Sequence, residues 1–109
     1  MSDHNGRYIL DGHTPVPAPD LETWARWYQN PENFIVAKDT APDGAQVSTV
    51  FLALDHNFFG VAGGQPILFE TMVFGGPLNG EQVRYATWDE AVAGHAEMLA
   101  RAIAASGPS

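Results

Sequence analysis

Apolar positions follow two different periods along this chain, and the switches between them mark its elements. Alternation or near-continuous apolar runs occur at Arg7-Tyr8-Ile9-Leu10, at 33–38 (Asn33-Phe34-Ile35-Val36-Ala37-Lys38), at 47–54, at 67–74 and around 82–86. Each is rich in β-branched or aromatic residues and closed by turn chemistry, the signature of strands. Helical spacing appears twice. Leu21, Trp24, Ala25 and Tyr28 follow the N-cap candidate Asp20 and stop at Asn30-Pro31, which predicts a helix over 20–30. Trp88, Ala91, Val92, His95, Ala96, Met98, Leu99, Ala102 and Ile103 share one face of a second helix running to about 104. Thr87-Trp88-Asp89-Glu90 opens it as a capping box.

The punctuation fixes the order. Asp11-Gly12, Pro42-Asp43-Gly44 within 39–44, and Gly75-Gly76-Pro77-Leu78-Asn79-Gly80 read as turns. The prolines at 15, 17 and 19 favour an extended connector over a helix or a ladder. Runs 47–54 and 67–74 carry so few polar residues that both read as central strands covered on two faces. The expected fold is α+β: a mostly antiparallel sheet of four to five strands with two helices packed on one face, in the order β-α-β-β-β-β-α. One domain spans 1–109, with 1–6 and 105–109 expected as flexible ends.

Composition narrows the classes of function. Thirteen Asp and Glu against five Lys and Arg give a net charge of −8, which opposes direct nucleic-acid binding. The acids are scattered, so they read as a solvated surface, or else as attraction to a basic partner or mimicry of nucleic acid. Without cysteine there are no disulfides, no thiolate metal sites and no cysteine nucleophile. The first residues lack the pattern of a signal peptide, and no apolar run reaches membrane-spanning length, so a cytoplasmic protein off the membrane is expected.

Four polar residues stand out as a candidate site. His95 lies in the apolar stripe of the second helix, where its ring must be hydrogen-bonded, and an acid or a backbone carbonyl is the ordinary partner. Glu70 interrupts the run 67–74, on one face with Leu68, Met72 and Phe74; it reads as an outward residue or as a partner of His95, Arg84 or His56. Asp55 and His56 end a strand at the mouth of the glycine-rich segment 56–65. Together His56, Glu70 and His95 would make a two-histidine, one-carboxylate set suited to zinc or iron, although no fixed spacing obliges them to meet. Trp27, Phe58 and Phe59 are candidate interface aromatics for a protein partner or a homodimer. No phosphate loop or serine elbow is present, and Ser48 has no neighbouring base.

The segments Tyr8-Ile9-Leu10-Asp11-Gly12, Thr23-Trp24-Ala25-Arg26-Trp27, 47–52 with Leu54-Asp55-His56, 68–76, and Arg84-Tyr85 with Thr87-Trp88, Glu90-Ala91 and Gly94-His95 carry a resemblance. Together they resemble a group of small hypothetical proteins encoded by tailed phages and prophages. The likeness covers most of residues 8–96 and is most specific over 68–76. It implies a phage or prophage accessory protein and brings no assigned activity with it. A non-enzymatic acidic interaction module is therefore the first expectation. A small metal- or ligand-binding domain using His56, Glu70 and His95 with Asp55 nearby is the alternative, and a virion or assembly component the third.

Overall fold

A computed structural model describes residues 6–55 and 66–107. The elements are β1 (Tyr8–Asp11), β2 (Thr14–Pro17), α1 (Leu21–Tyr28), a 3-10 turn (Pro31–Asn33), β3 (Ile35–Thr40), β4 (Gln46–Phe51), β5 (Phe69–Phe74), β6 (Gln82–Tyr85) and α2 (Trp88–Ala105). The strands β3-β4-β5-β6 form an antiparallel four-stranded sheet in sequence order, and β1 pairs with β2 in a separate hairpin. This is the expected α+β architecture with one strand more.

The additional strand is the proline connector. Tyr8 pairs with Pro17 and Leu10 with Pro15, yet proline has no N–H to give to a ladder. Ala18 N–H donates to the Arg7 carbonyl at 3.0 Å. In an antiparallel pair the exchanging positions alternate, so Ile9/Val16 and Asp11/Thr14 carry the ladder and both prolines turn their nitrogens to the outer edge. Prolines at alternate positions are thus compatible with an edge strand, and they leave it no donors for a further strand.

Alternation along β4 and β5 sets the layers. Val47, Thr49 and Phe51, and opposite them Val73, Thr71 and Phe69, are buried, whereas Ser48, Val50, Glu70 and Met72 are only half-buried. Neither strand is covered on two faces as its composition suggested. The buried face receives Ala91, His95, Met98 and Ala102 of α2. α1 joins the same side at one end, where Trp24 and Trp27 pack around Phe51, Phe69 and Ala91. Trp27, expected as an interface residue, stands edge-on to Phe51 with ring centroids 5.6 Å apart and packs, partly exposed, against the buried cluster. Full burial of Phe51 and Phe69 contributes about 1.5–3 kcal/mol each by removing apolar area from water.

Local signals account for the ends of both helices. The Asp20 carboxylate accepts from Thr23 N–H at 2.7 Å, which holds its carboxyl below the usual carboxylate range. Thr87 and Glu90 complete the reciprocal capping box of α2. At its other end α2 outlasts the expected boundary: Ala105 is helical, and Ser106 returns both N–H and hydroxyl to the Ala102 carbonyl.

A bend follows β4. Ala53 is fully buried with φ of 65°, and its carbonyl accepts from Tyr8 N–H at 2.8 Å and Trp24 Nε1 at 3.1 Å. Two donors on one carbonyl hold a backbone conformation that costs an alanine roughly 1 kcal/mol. The bend docks the β1-β2 hairpin, through Arg7 and Leu54, onto the end of the sheet.

Candidate functional site

His95 projects from the middle of α2 onto the centre of the sheet, with its side chain 7% exposed. Its Nε2 lies 2.8 Å from Asp39 Oδ2 on β3, and its Nδ1 lies 2.7 Å from Thr49 Oγ1 on β4. Thr49 Oγ1 is in turn 2.5 Å from Thr71 Oγ1 on β5, and Tyr85 on β6 donates to Thr71 Oγ1 at 3.2 Å. One line of hydrogen bonds therefore crosses all four strands beneath the helix.

The register of the sheet builds this line. Ala37, Thr49, Thr71 and Val83 occupy one cross-strand row on the helix side. Asp39 lies one inward position further along β3, opposite Val47, and Tyr85 one further along β6, opposite Phe69. The polar layer separates two apolar clusters, one around Val47, Val73, Met98 and Ala102 and the other around Phe51, Leu68, Phe69 and Ala91. Its polar atoms are matched: among the described residues no buried side-chain nitrogen or oxygen lacks a partner. Such satisfaction is what allows a histidine and two threonines in a core at all, since each orphaned group would cost about 1–3 kcal/mol.

Gly94 makes room for the end of the line. A β-carbon at this position would stand 2.1 Å from the Tyr85 hydroxyl oxygen and 2.3 Å from its ring carbons. The glycine inside α2 thus lets the tyrosine lie against the helix backbone and reach Thr71.

The expected polar site is not assembled in this way. Glu70 lies on the opposite face of the sheet from His95, because Thr71 beside it faces the helix and successive strand residues alternate. There it pairs with Arg84 Nε at 2.9 Å, one of the three partners its sequence position suggested. Both ring nitrogens of His95 are already engaged, so neither is free to take a metal. Among the described residues no cluster of three His, Asp or Glu side chains has metal-binding geometry. Zinc or iron held by Glu70 and His95 together is ruled out by this geometry. His56, Phe58 and Phe59 lie outside the described residues.

Asp55 has a local task. Its Oδ1 accepts from Ile67 N–H at 3.0 Å, and its N–H donates to the Gly6 carbonyl at 2.8 Å. It ties together the two chain ends that flank residues 56–65.

Asp39, His95 and Thr49 stand in the order acid, imidazole, hydroxyl, the order used to activate a nucleophile. The hydroxyl is the obstacle. Thr49 has no solvent exposure, and its oxygen is committed to Thr71 as well as to the ring. The acid, at the exposed edge, is the only member open to solvent, the reverse of what an attacking hydroxyl needs.

Two of these residues carry a signal in the sequence that the expectations above leave out. Thr49 and Thr71 sit between large apolar residues at spacing two, Val47 with Phe51 and Phe69 with Val73, which marks them as inward. Ser48, next to Thr49 in β4, faces the other way. Asp39 looked like the start of a turn, whereas β3 continues to Thr40 and carries it into the ladder.

Among the described residues no helix is long and apolar enough to cross a membrane. Comparison with known proteins finds no matching family, no similar curated protein and no matching solved structure.

Proposed function

We propose that this chain is a non-enzymatic interaction module, of the kind encoded by tailed phages and prophages as accessory proteins, working in the bacterial cytosol. It would dock a partner protein on the face of the sheet turned away from α2. The observation that carries the reading is the composition of that face. Its rows run Ile35-Val50-Glu70-Arg84, Lys38-Ser48-Met72-Gln82 and Thr40-Gln46-Phe74. Ile35 is 41% and Phe74 51% exposed, with Val50 and Met72 half-buried between them. Apolar side chains on a sheet face that no described helix covers are the usual mark of a contact surface.

Charge and edges support the same surface. These rows hold Lys38 and Arg84 against Glu70 alone, on a chain of net charge −8, so an approaching surface meets less repulsion here. Lys38 and Arg84 also occupy the outer strands, and short, charged edge strands discourage addition of a further strand. The closed hydroxyl of Thr49 favours a binding module over a catalyst.

The reading is tested by affinity capture and cross-linking from bacterial lysate with three baits: the unchanged chain, Met72→Glu on the open face and Glu97→Lys on the outer side of α2. Captured proteins should disappear with Met72→Glu and persist with Glu97→Lys, while circular dichroism and urea midpoints stay close for all three. If the Met72→Glu bait retains the same proteins, or the unchanged chain captures none, the open face is not a docking surface. Sedimentation of the same proteins separates a second copy of this chain from a foreign partner.

A further inference from the structure

For a neutral His95 ring, the chemistry of the end groups orients every donor and acceptor along the buried line. Aspartate at the outer edge accepts only, so His95 Nε2 carries a proton and donates to Asp39 Oδ2. In the neutral ring Nδ1 is then an acceptor, and the Thr49 hydroxyl donates to it. Thr49 Oγ1 is left to accept from Thr71, and Thr71 Oγ1 to accept from Tyr85. All four bonds run head to tail toward the carboxylate.

We propose that this line is a two-state proton switch that couples the charge of His95 to the hydrogen-bonding sense of the Tyr85 hydroxyl. When the ring becomes an imidazolium, Nδ1 gains a proton and must donate to Thr49. Thr49 then donates to Thr71, Thr71 donates to Tyr85, and the proton that Tyr85 carries in this state points away from the sheet. Protons balance in the change: each O–H proton moves one place along the line, Thr49's to Nδ1, Thr71's to Thr49 and Tyr85's to Thr71. One proton from solvent then replaces that of Tyr85.

The outward side of Tyr85 is a cleft of about 120 Å³ lined by Val83, Gly94, Glu97, Met98 and Arg101. In the neutral state the tyrosine shows this cleft only oxygen lone pairs. In the charged state it shows a donor, suited to the carboxylate of Glu97 or to an acidic group on a bound molecule. The switch stands apart from the open sheet face and does not depend on which partner docks there.

The surroundings of the ring suit such a change. Of the elements packed against it, β3 contributes the carboxylate Asp39, β4 and β5 contribute the neutral hydroxyls of Thr49 and Thr71, and β6 contributes Tyr85 through them. On α2 itself Glu97 and Arg101 stand at the cleft, and Arg101 is paired with Glu81 at 3.0 Å. Asp39 is half exposed, so the charge formed on His95 has a counter-ion in contact with water.

Heteronuclear NMR on the labelled full chain tests the switch. While the ring is neutral, its proton should sit on Nε2 and Nδ1 should be bare. On acidification within the folded range, the ring should become an imidazolium while the Tyr85 Cζ shift moves with the same midpoint and those of Tyr8 and Tyr28 do not. Tyr85→Phe leaves Thr71 without an acceptor only in the charged state, so it should move the His95 midpoint to lower pH. Thr71→Val should leave His95 titrating and stop Tyr85 from following. A neutral ring protonated on Nδ1, a silent Tyr85, a midpoint that Tyr85→Phe leaves in place or raises, or acid unfolding before His95 takes up a proton would each overturn the proposal.

Discussion

Replacing Thr49 by valine probes the buried line with almost no change of shape. The hydroxyl lost lies 2.7 Å from His95 Nδ1 and 2.5 Å from Thr71 Oγ1. Thr71 keeps Tyr85 as a partner, but Nδ1 keeps none among the described residues, because the ring is held at its other end by Asp39. One orphaned buried acceptor costs about 1–3 kcal/mol, and the added methyl returns at most about 0.8 kcal/mol. With the middle of that cost, about 2 kcal/mol, set against the methyl, the net loss should be about 1–2 kcal/mol, out of a total that for a domain of this size is about 5–15 kcal/mol. That corresponds to a fall in Tm of about 4–16 °C. Urea unfolding followed by tryptophan fluorescence measures it directly, since Trp24, Trp27 and Trp88 pack in the neighbouring cluster. Combining Thr49→Val with His95→Leu removes both ends of the broken bond and should cost at least about 1 kcal/mol less than the sum of the single changes. A Thr49→Val protein within about 0.5 kcal/mol of the parent, or a strictly additive pair, would refute the account of the polar layer as a matched network.

Two further perturbations test other parts of the structure. Gly94→Ala, which in an open helix position would stabilise by about 1 kcal/mol, should here destabilise by about 1–3 kcal/mol, because the new methyl meets the Tyr85 ring; denaturant midpoints give the sign. The Asp20 cap should contribute stability that is complete above the carboxyl's unfolded value and is lost as pH falls through its lower folded value, since its carboxylate form is held by Thr23 N–H. The slope of stability against pH in the acid range should be shallower in Asp20→Asn than in the parent.

What the sequence by itself determined is local. The N-cap at Asp20 and the capping box at Thr87 and Glu90 are contests between neighbouring donors and acceptors, decided within three residues. The period-two alternation of β4 and β5, and the turn at Pro42-Asp43-Gly44, are likewise written into adjacent side chains, so the α+β class and the strand order were legible. His95 was legible as a buried ring in need of partners, because a polar group inside an apolar helical stripe must be satisfied.

Only the tertiary structure decided which partners it found. Alternation states that Glu70 and Thr71 face opposite ways, yet nothing local states which of those ways meets the helix. That choice is made by burial, where Phe51, Phe69, Val47 and Val73 exclude water better against α2 than Val50, Met72 and Phe74 would with Glu70 among them. Asp39 joined the site through the register of β3 on β4, a bond spanning 56 residues of sequence to His95. The proline segment became a strand for the same kind of reason: its missing donors fall on the free edge, a fact that exists only once β1 lies beside it.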